Sequence, residues 1–111
     1  MTQAPLRDAL ILTTARALIE KPERWTRNAY RRDAKGDLCG QEFAVCWCAT
    51  GALSQASRQL GVTGDWNSAY DLLAAAVGGK SVEEWNDARS RTHDQILEGF
   101  DKAIALAGAP R

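Results

Sequence analysis

Histidine and methionine occur once each, proline and cysteine three times each, and neither sign of charge is in excess. Each scarcity excludes something. Three cysteines are an odd and sparse set, unlike the even, dense sets of secreted disulfide scaffolds, so reduced thiols in a cytosol are the better reading. No apolar run approaches the roughly 18 residues that a membrane span needs. The most apolar N-terminal stretch, MTQAPLRDALILTTARALIEK, is broken by Arg7, Asp8 and Arg16, and no signal peptide is apparent. The expected location is the cytoplasm, with no membrane partner. Fourteen basic residues balance fourteen acidic ones, which disfavours binding to polyanions through overall charge while leaving local patches open. No internal repeat or low-complexity segment is present.

What is there fits one domain over residues 1–111. That length buries roughly two-thirds of its unfolded surface, enough for a core without metal or disulfide staples, and 45% hydrophobic with 25% charged residues is ordinary for a globular chain. The pattern predicts a mainly α fold, a compact bundle of four main helices plus a short one. The first spans about 6–20, with Pro5 near its first turn and Leu6, Leu10, Ala17 and Leu18 along one side. The second starts at 43 or 44 and ends before Gly61, its stripe being Val45, Ala49, Ala52, Leu53, Ala56 and Leu60. The third covers about 65–77, capped by Asp65, with Trp66, Ala69, Tyr70, Leu73 and Val77 as its stripe and Gly78-Gly79 as its stop. Ser81 with Glu84 makes a capping box for a short helix carrying Val82 and Trp85. Thr92 with Gln95 makes another for the last helix, lined by Ile96, Leu97, Phe100, Ala103, Ile104 and Ala107. The segment 26–42 has no helical stripe; it reads as a small β-hairpin with Lys35-Gly36 at the tip, or as an irregular insertion.

The stretch FAVCWCATGAL, residues 43–53, carries the densest chemistry. Cys39, Cys46, Cys48 and His93 make a Cys₃His inventory fit for structural zinc, but one residue between Cys46 and Cys48 is shorter than the common knuckle spacing. On one helix the two would point about 200° apart, so no metal or other cofactor is expected. Cys46 or Cys48 at a helix N-terminus could instead be an activated thiol, with His93 as base, and CWCATG superficially resembles papain-like nucleophile helices. Against both stands the packing reading: free cysteines are among the most buried residues, and Gly51 would let a neighbouring helix approach closely. Packing is favoured, and a cysteine-dependent hydrolase or transferase is the competing class.

Charge is polarised along the chain. Residues 21–35 hold six basic side chains (Lys21, Arg24, Arg27, Arg31, Arg32, Lys35) and two acidic ones, a balance of six minus two, or +4. Residues 83–101 hold six acidic side chains and two arginines, or −4. Arg24, Trp25, Arg27, Tyr30, Arg31 and Arg32 therefore form the candidate binding set. Arginine with aromatics suits a protein interface or, less favoured, stacked bases and phosphates; the bland alternative is that the two patches face each other or are solvated. The four tryptophans, Trp25, Trp47, Trp66 and Trp85, are expected to be packing anchors whose indole N–H groups find partners. Asn86 and Asp87 are expected to bond the local backbone and stop the short helix.

The words CATGAL (48–53), WNDARSRTHDQILEGFDKAI (85–104) and ALIEKPERWTRNAYRRDAKG (17–36) resemble a family of small uncharacterised bacterial and phage proteins, a domain of unknown function with a Cys-Ala-x-Gly-Ala-Leu box, a Trp-Asn-Asp motif, and Arg-Thr before a terminal helix. The likeness runs from about 17 to 107. It implies no reaction. It places Cys48, Gly51, Trp85, Asn86, Asp87, Arg91 and Thr92 at motif positions and leaves Cys39 and Cys46 outside them. Its phage members imply a small protein that modulates a host protein, such as a defence system. The expectation is a non-enzymatic cytosolic module that binds another protein; an apolar stripe left exposed would make it a homodimer.

Overall fold

Two capping boxes and three glycines fix most of the helix ends. The computed structural model describes residues 4–62, 66–79 and 81–108, and these form α1 (Ala4–Leu18), β1 (Arg31–Arg32), β2 (Cys46–Trp47), α2 (Ala49–Leu60), α3 (Asn67–Ala76), α4 (Val82–Asp87) and α5 (His93–Gly108). Ser81 Oγ accepts from the Glu84 N–H at 2.9 Å. Thr92 and Gln95 cap each other, Oγ1 accepting from Gln95 N at 3.1 Å and Oε1 from Thr92 N at 3.0 Å. At the other ends, Gly61 adopts φ 75° and closes α2, while Gly78 and Gly79, at 106° and 80°, end α3. The expected Asp65 cap lies outside the described residues; α3 begins after Trp66, whose side chain makes no cap bond.

The mainly α bundle is as expected: α1 packs on α2 and α5, and α3 packs on α5. Ile96, Phe100, Ala103 and Ala107 form the buried face of α5, and Ala69 and Leu73 that of α3. Helix α1 corrects the sequence reading. Its buried face is Asp8, Ile11, Leu12 and Ala15, continued by Ile19 just past its end, whereas Leu6 and Leu10 stand in solvent. The stripe is disguised by a carboxylate in its second turn, and Ser68 on α3 helps explain why it is tolerated: its hydroxyl donates to Asp8 Oδ2 at 2.6 Å. No described helix is long and apolar enough to cross a membrane.

Helix α2 begins at Ala49, not at 43 or 44. Residues 41–47 are drawn instead into a strap that leaves α1 and returns to α2. A 3₁₀ turn (Gln41–Phe43) leads into β2, which pairs antiparallel with β1, Arg31 opposite Trp47 and Arg32 opposite Cys46. Backbone bonds from Val45 N to Arg32 O (2.9 Å) and from Cys48 N to Tyr30 O (3.1 Å) continue the pairing on both sides. Phe, Val and Trp favour a pleated, half-buried surface, and here tertiary pairing overrides the helical spacing. The expected hairpin tip is present: Gly36 has φ 86°, Asp33 Oδ1 accepts from the N–H groups of Lys35 and Asp37, and Arg32 bridges Leu38.

Candidate functional site

Several side chains hold the strap to the bundle, and one of them, Asn86, makes four of the bonds. Asn86, the next-to-last residue of α4, is fully buried. Its Oδ1 accepts from the Trp25 indole at 2.8 Å and from the first N–H of α2, Ala49, at 2.9 Å. Its Nδ2 donates to Thr26 O at 3.1 Å and to Asp87 Oδ1 at 2.9 Å. Two lone pairs and two N–H bonds are thus all used. Asp87 Oδ1 also takes the N–H of Asn28 at 2.9 Å, and Asn28 sits at φ 62°, a conformation asparagine tolerates better than most residues. The Asn86-Asp87 pair therefore reaches residues some sixty positions away, rather than stopping its own helix locally as the sequence implied. Gly51 seats the strap from below: a Cβ there would lie 2.0 Å from Tyr30 O. The close neighbour is backbone of the strap, not another helix.

Cys48 is the N-cap of α2, its Sγ accepting from Gly51 N at 3.3 Å. Desolvation by burial pushes this thiol from 9.0 up to about 11, outweighing the N–H groups of Gly51 and Thr50 that pull it down. Cys46 and Cys39 are half-buried, with Cys46 Sγ 3.9 Å from Arg32 O. His93 takes its contacts elsewhere: Nε2 is 2.7 Å from Ile19 O, and the ring lies 5.9 Å from that of Trp25. Among the described residues no three of His, Cys, Asp or Glu stand close enough to hold a metal ion.

Two results follow for Cys48. Native protein treated with iodoacetamide at about pH 8 is expected to be alkylated at Cys39 and Cys46 while Cys48 stays protected until unfolding, as read by peptide mass spectrometry. Because its folded pKa lies above the unfolded one, the folded state holds its proton more tightly. The contribution is whole below pH 9 and is lost between 9 and 11, up to about 2–3 kcal/mol. Cys48→Ser keeps a capping oxygen and lacks the thiol, so its melting temperature should fall less steeply over that interval.

The six residues of the candidate binding set divide. Arg27 donates to the Arg91 carbonyl and lies over the Trp25 ring at 4.8 Å. Arg32 donates to Thr26 Oγ1, Gly36 O and Arg27 O at 3.0–3.2 Å. With Trp25 on Asn86, these three build the strap. Arg24 and Tyr30 are exposed, and Arg31 is half-buried with its Nε lacking a partner among the described residues. Where the strap meets the acidic C-terminal segment, charged side chains meet backbone groups rather than each other, Asp87 Oδ1 accepting from Asn28 N and Arg27 donating to Arg91 O; Asp101 pairs instead with Arg16 at 2.7 Å. Of the tryptophans, Trp25 bonds its indole as expected, but the buried Trp47 N–H has no partner among the described residues.

Sequence reasoning missed the strap's apolar surface. Leu38 is 73% exposed and Phe43 67%, with Val45 and Tyr30 about half exposed. The helical spacing places Phe43 and Val45 in α2; the aromatic and β-branched run ahead of Cys46 is the signal for the strap. Under the strap lies a cleft of about 410 Å³, lined by Tyr30 and Arg31, by Thr50, Gly51 and Ser54 of α2, by Trp66, Asn67 and Tyr70 at the start of α3, and by Glu83 of α4. Tyr70 Oη donates to Glu83 Oε1 at 2.7 Å and accepts from Val82 N at 3.2 Å.

A model of a family of unknown function (DUF6197) matches residues 3–106. No curated protein and no solved structure matches the chain.

Proposed function

The chain belongs to the DUF6197 family, and from that premise we propose that it is a small non-enzymatic module that binds another protein through the strap between α1 and α2. One observation carries the reading: Tyr30, Leu38, Phe43 and Val45 are exposed on a single inserted segment that also presents Arg24 and Lys35 to solvent. Apolar and aromatic side chains flanked by cations suit a protein surface with an apolar centre and a carboxylate rim. The enzymatic alternative loses support because burial keeps Cys48 protonated and His93 is engaged with Ile19. Nucleic-acid binding loses support because Arg27 and Arg32 donate to internal carbonyls. The resemblance to bacterial and phage proteins favours a narrower form in which the partner is a host protein, including one that serves defence.

The test is co-purification from the host with wild-type protein and with a Leu38→Ser/Phe43→Ser variant. Both side chains are exposed, so the variant should melt within a few degrees of wild type. A stoichiometric partner is expected with wild type, its affinity at least tenfold lower with the variant, since anchoring residues contribute about 2 kcal/mol or more. Should the lost species be a second copy of the chain, seen by sedimentation, the partner is the protein itself. No partner, or equal capture by the variant, ends the proposal, and an affinity falling steeply with salt would point to nucleic acid.

A further inference from the structure

We propose that the cleft under the strap is a binding site for a free amino acid with a bulky apolar or aromatic side chain, its carboxylate on Arg31 and Thr50, its ammonium on Glu83, and its side chain among Tyr30, Trp66 and Tyr70. This goes beyond protein binding by the strap and shares only Tyr30 with it.

The first observation is an unpaired hydroxyl. Thr50 is only 5% exposed, and its Oγ1 has no partner among the described residues. Leaving a buried hydroxyl unbonded is costly. The usual remedy for threonine in a helix, a bond to the carbonyl four residues back, is closed here because residue 46 belongs to β2. A packing role would be served better by valine. The second observation is Arg31, whose buried Nε also lacks a partner and which lines the same cleft. A guanidinium and a hydroxyl ask for an acceptor-rich group, and arginine matches a carboxylate's two oxygens. The cleft also opens at the first turn of the 12-residue α2, where the helix dipole favours negative charge.

The opposite sign is supplied by Glu83. Tyr70 Oη holds one of its oxygens, and a carboxylate keeps further acceptor sites for an ammonium. Burial first, and Glu83 next, hold the Tyr70 phenol above its usual range, so it remains a donor to that carboxylate. One cation and one anion in one cleft favour a ligand carrying both charges over a phosphate, whose second negative charge Glu83 would repel. The Trp66 and Tyr70 rings, 6.4 Å apart and tilted, supply an apolar wall. The volume of about 410 Å³ lies inside the roughly 300–1,000 Å³ of small-ligand sites.

Titration calorimetry tests this with L-phenylalanine, L-tryptophan and L-leucine. N-acetyl-L-phenylalanine, which mimics a peptide C-terminus, and phenethylamine each carry half of the polar groups. At least one free amino acid is expected to bind saturably at millimolar or lower concentration, and both half-ligands at least tenfold more weakly. Thr50→Val and Glu83→Gln should each weaken binding on the order of tenfold, whereas Thr50→Val without ligand should melt at or above the wild-type temperature. Absence of saturable binding by all three amino acids overturns the assignment. So does equal affinity for N-acetyl-L-phenylalanine, or equal affinity of wild type and both variants. Leu38→Ser/Phe43→Ser does not touch the cleft lining and should bind as wild type, which separates this result from the fate of the strap proposal.

Discussion

Asn86→Leu is expected to unfold about 15–20 °C below wild type, the largest loss from any single polar side chain in the molecule. Leucine nearly matches asparagine in shape and offers no hydrogen bond. It would strand the Trp25 indole N–H, the Ala49 N–H and the Thr26 carbonyl, all held by Asn86 at 2.8–3.1 Å. A buried donor or acceptor left without a partner costs about 1–3 kcal/mol. Partial hydration of the loosened strap offsets part of the sum, leaving about 4 kcal/mol, and a domain of this size loses roughly 4–5 °C per kcal/mol. Differential scanning calorimetry reads this directly, and a drop under about 4 °C would mean that Asn86 is not the strap's anchor. Asn86→Asp makes a sharper test. The introduced carboxylate keeps both accepted bonds, at the positive end of α2, but loses the Nδ2 donations and stands beside Asp87. Burial and that neighbour raise its folded pKa above the unfolded one, so its deficit should shrink as pH falls and grow as pH rises.

How legible all this was follows from the reach of each interaction. Ser81–Glu84 and Thr92–Gln95 are three residues apart, and their caps could be read directly; so could the α5 stripe, whereas the turn at Lys35-Gly36 read equally as a hairpin tip or an irregular loop. The face of α1 could not, because its correct reading needs Ser68, sixty residues away, to hydrogen-bond Asp8. The start of α2 failed for the same reason. Nothing near Ala44 forbids a helix, and what prevents it is pairing with Arg31 and Arg32. At the candidate sites, Tyr30 and Arg31 were singled out by their charged and aromatic setting. Thr50, Trp66, Tyr70 and Glu83 were not, since an unpaired hydroxyl and a shared cleft exist only after folding.

The residues that looked most like chemistry turn out to build the strap. Cys48 caps α2 and Asn86 holds Trp25 and Thr26. Asp87 holds Asn28, and Arg91 donates to Trp85 O at 2.8 Å while presenting its own carbonyl to Arg27. Side chains from the middle and end of the chain thus fix a segment that by itself has two short strands and no core. The molecule commits its polar interior to the position of Tyr30 through Trp47, which is where the exposed apolar surface and the cleft meet.

Gly51→Ala tests that commitment without touching a polar group. Alanine is favoured over glycine in a helix by about 1 kcal/mol, so a surface position would gain stability. At Gly51 the new Cβ would lie 2.0 Å from Tyr30 O and 2.9 Å from Tyr30 C. Both are backbone atoms, and that carbonyl is already held by Cys48 N at 3.1 Å. No rotamer change relieves the overlap; either α2 or the strap must move. The expected result is a net loss of at least about 3 kcal/mol, beyond ordinary overpacking. Lifting the strap should also uncover Cys48, which would then react with iodoacetamide at pH ~8 in otherwise native protein. Gly108→Ala is the control, because a Cβ there meets nothing within 4 Å, and it should be neutral to slightly stabilising. If Gly51→Ala is as stable as wild type and Cys48 stays protected, Tyr30 is not seated on α2, and the cleft loses the wall on which Arg31 stands.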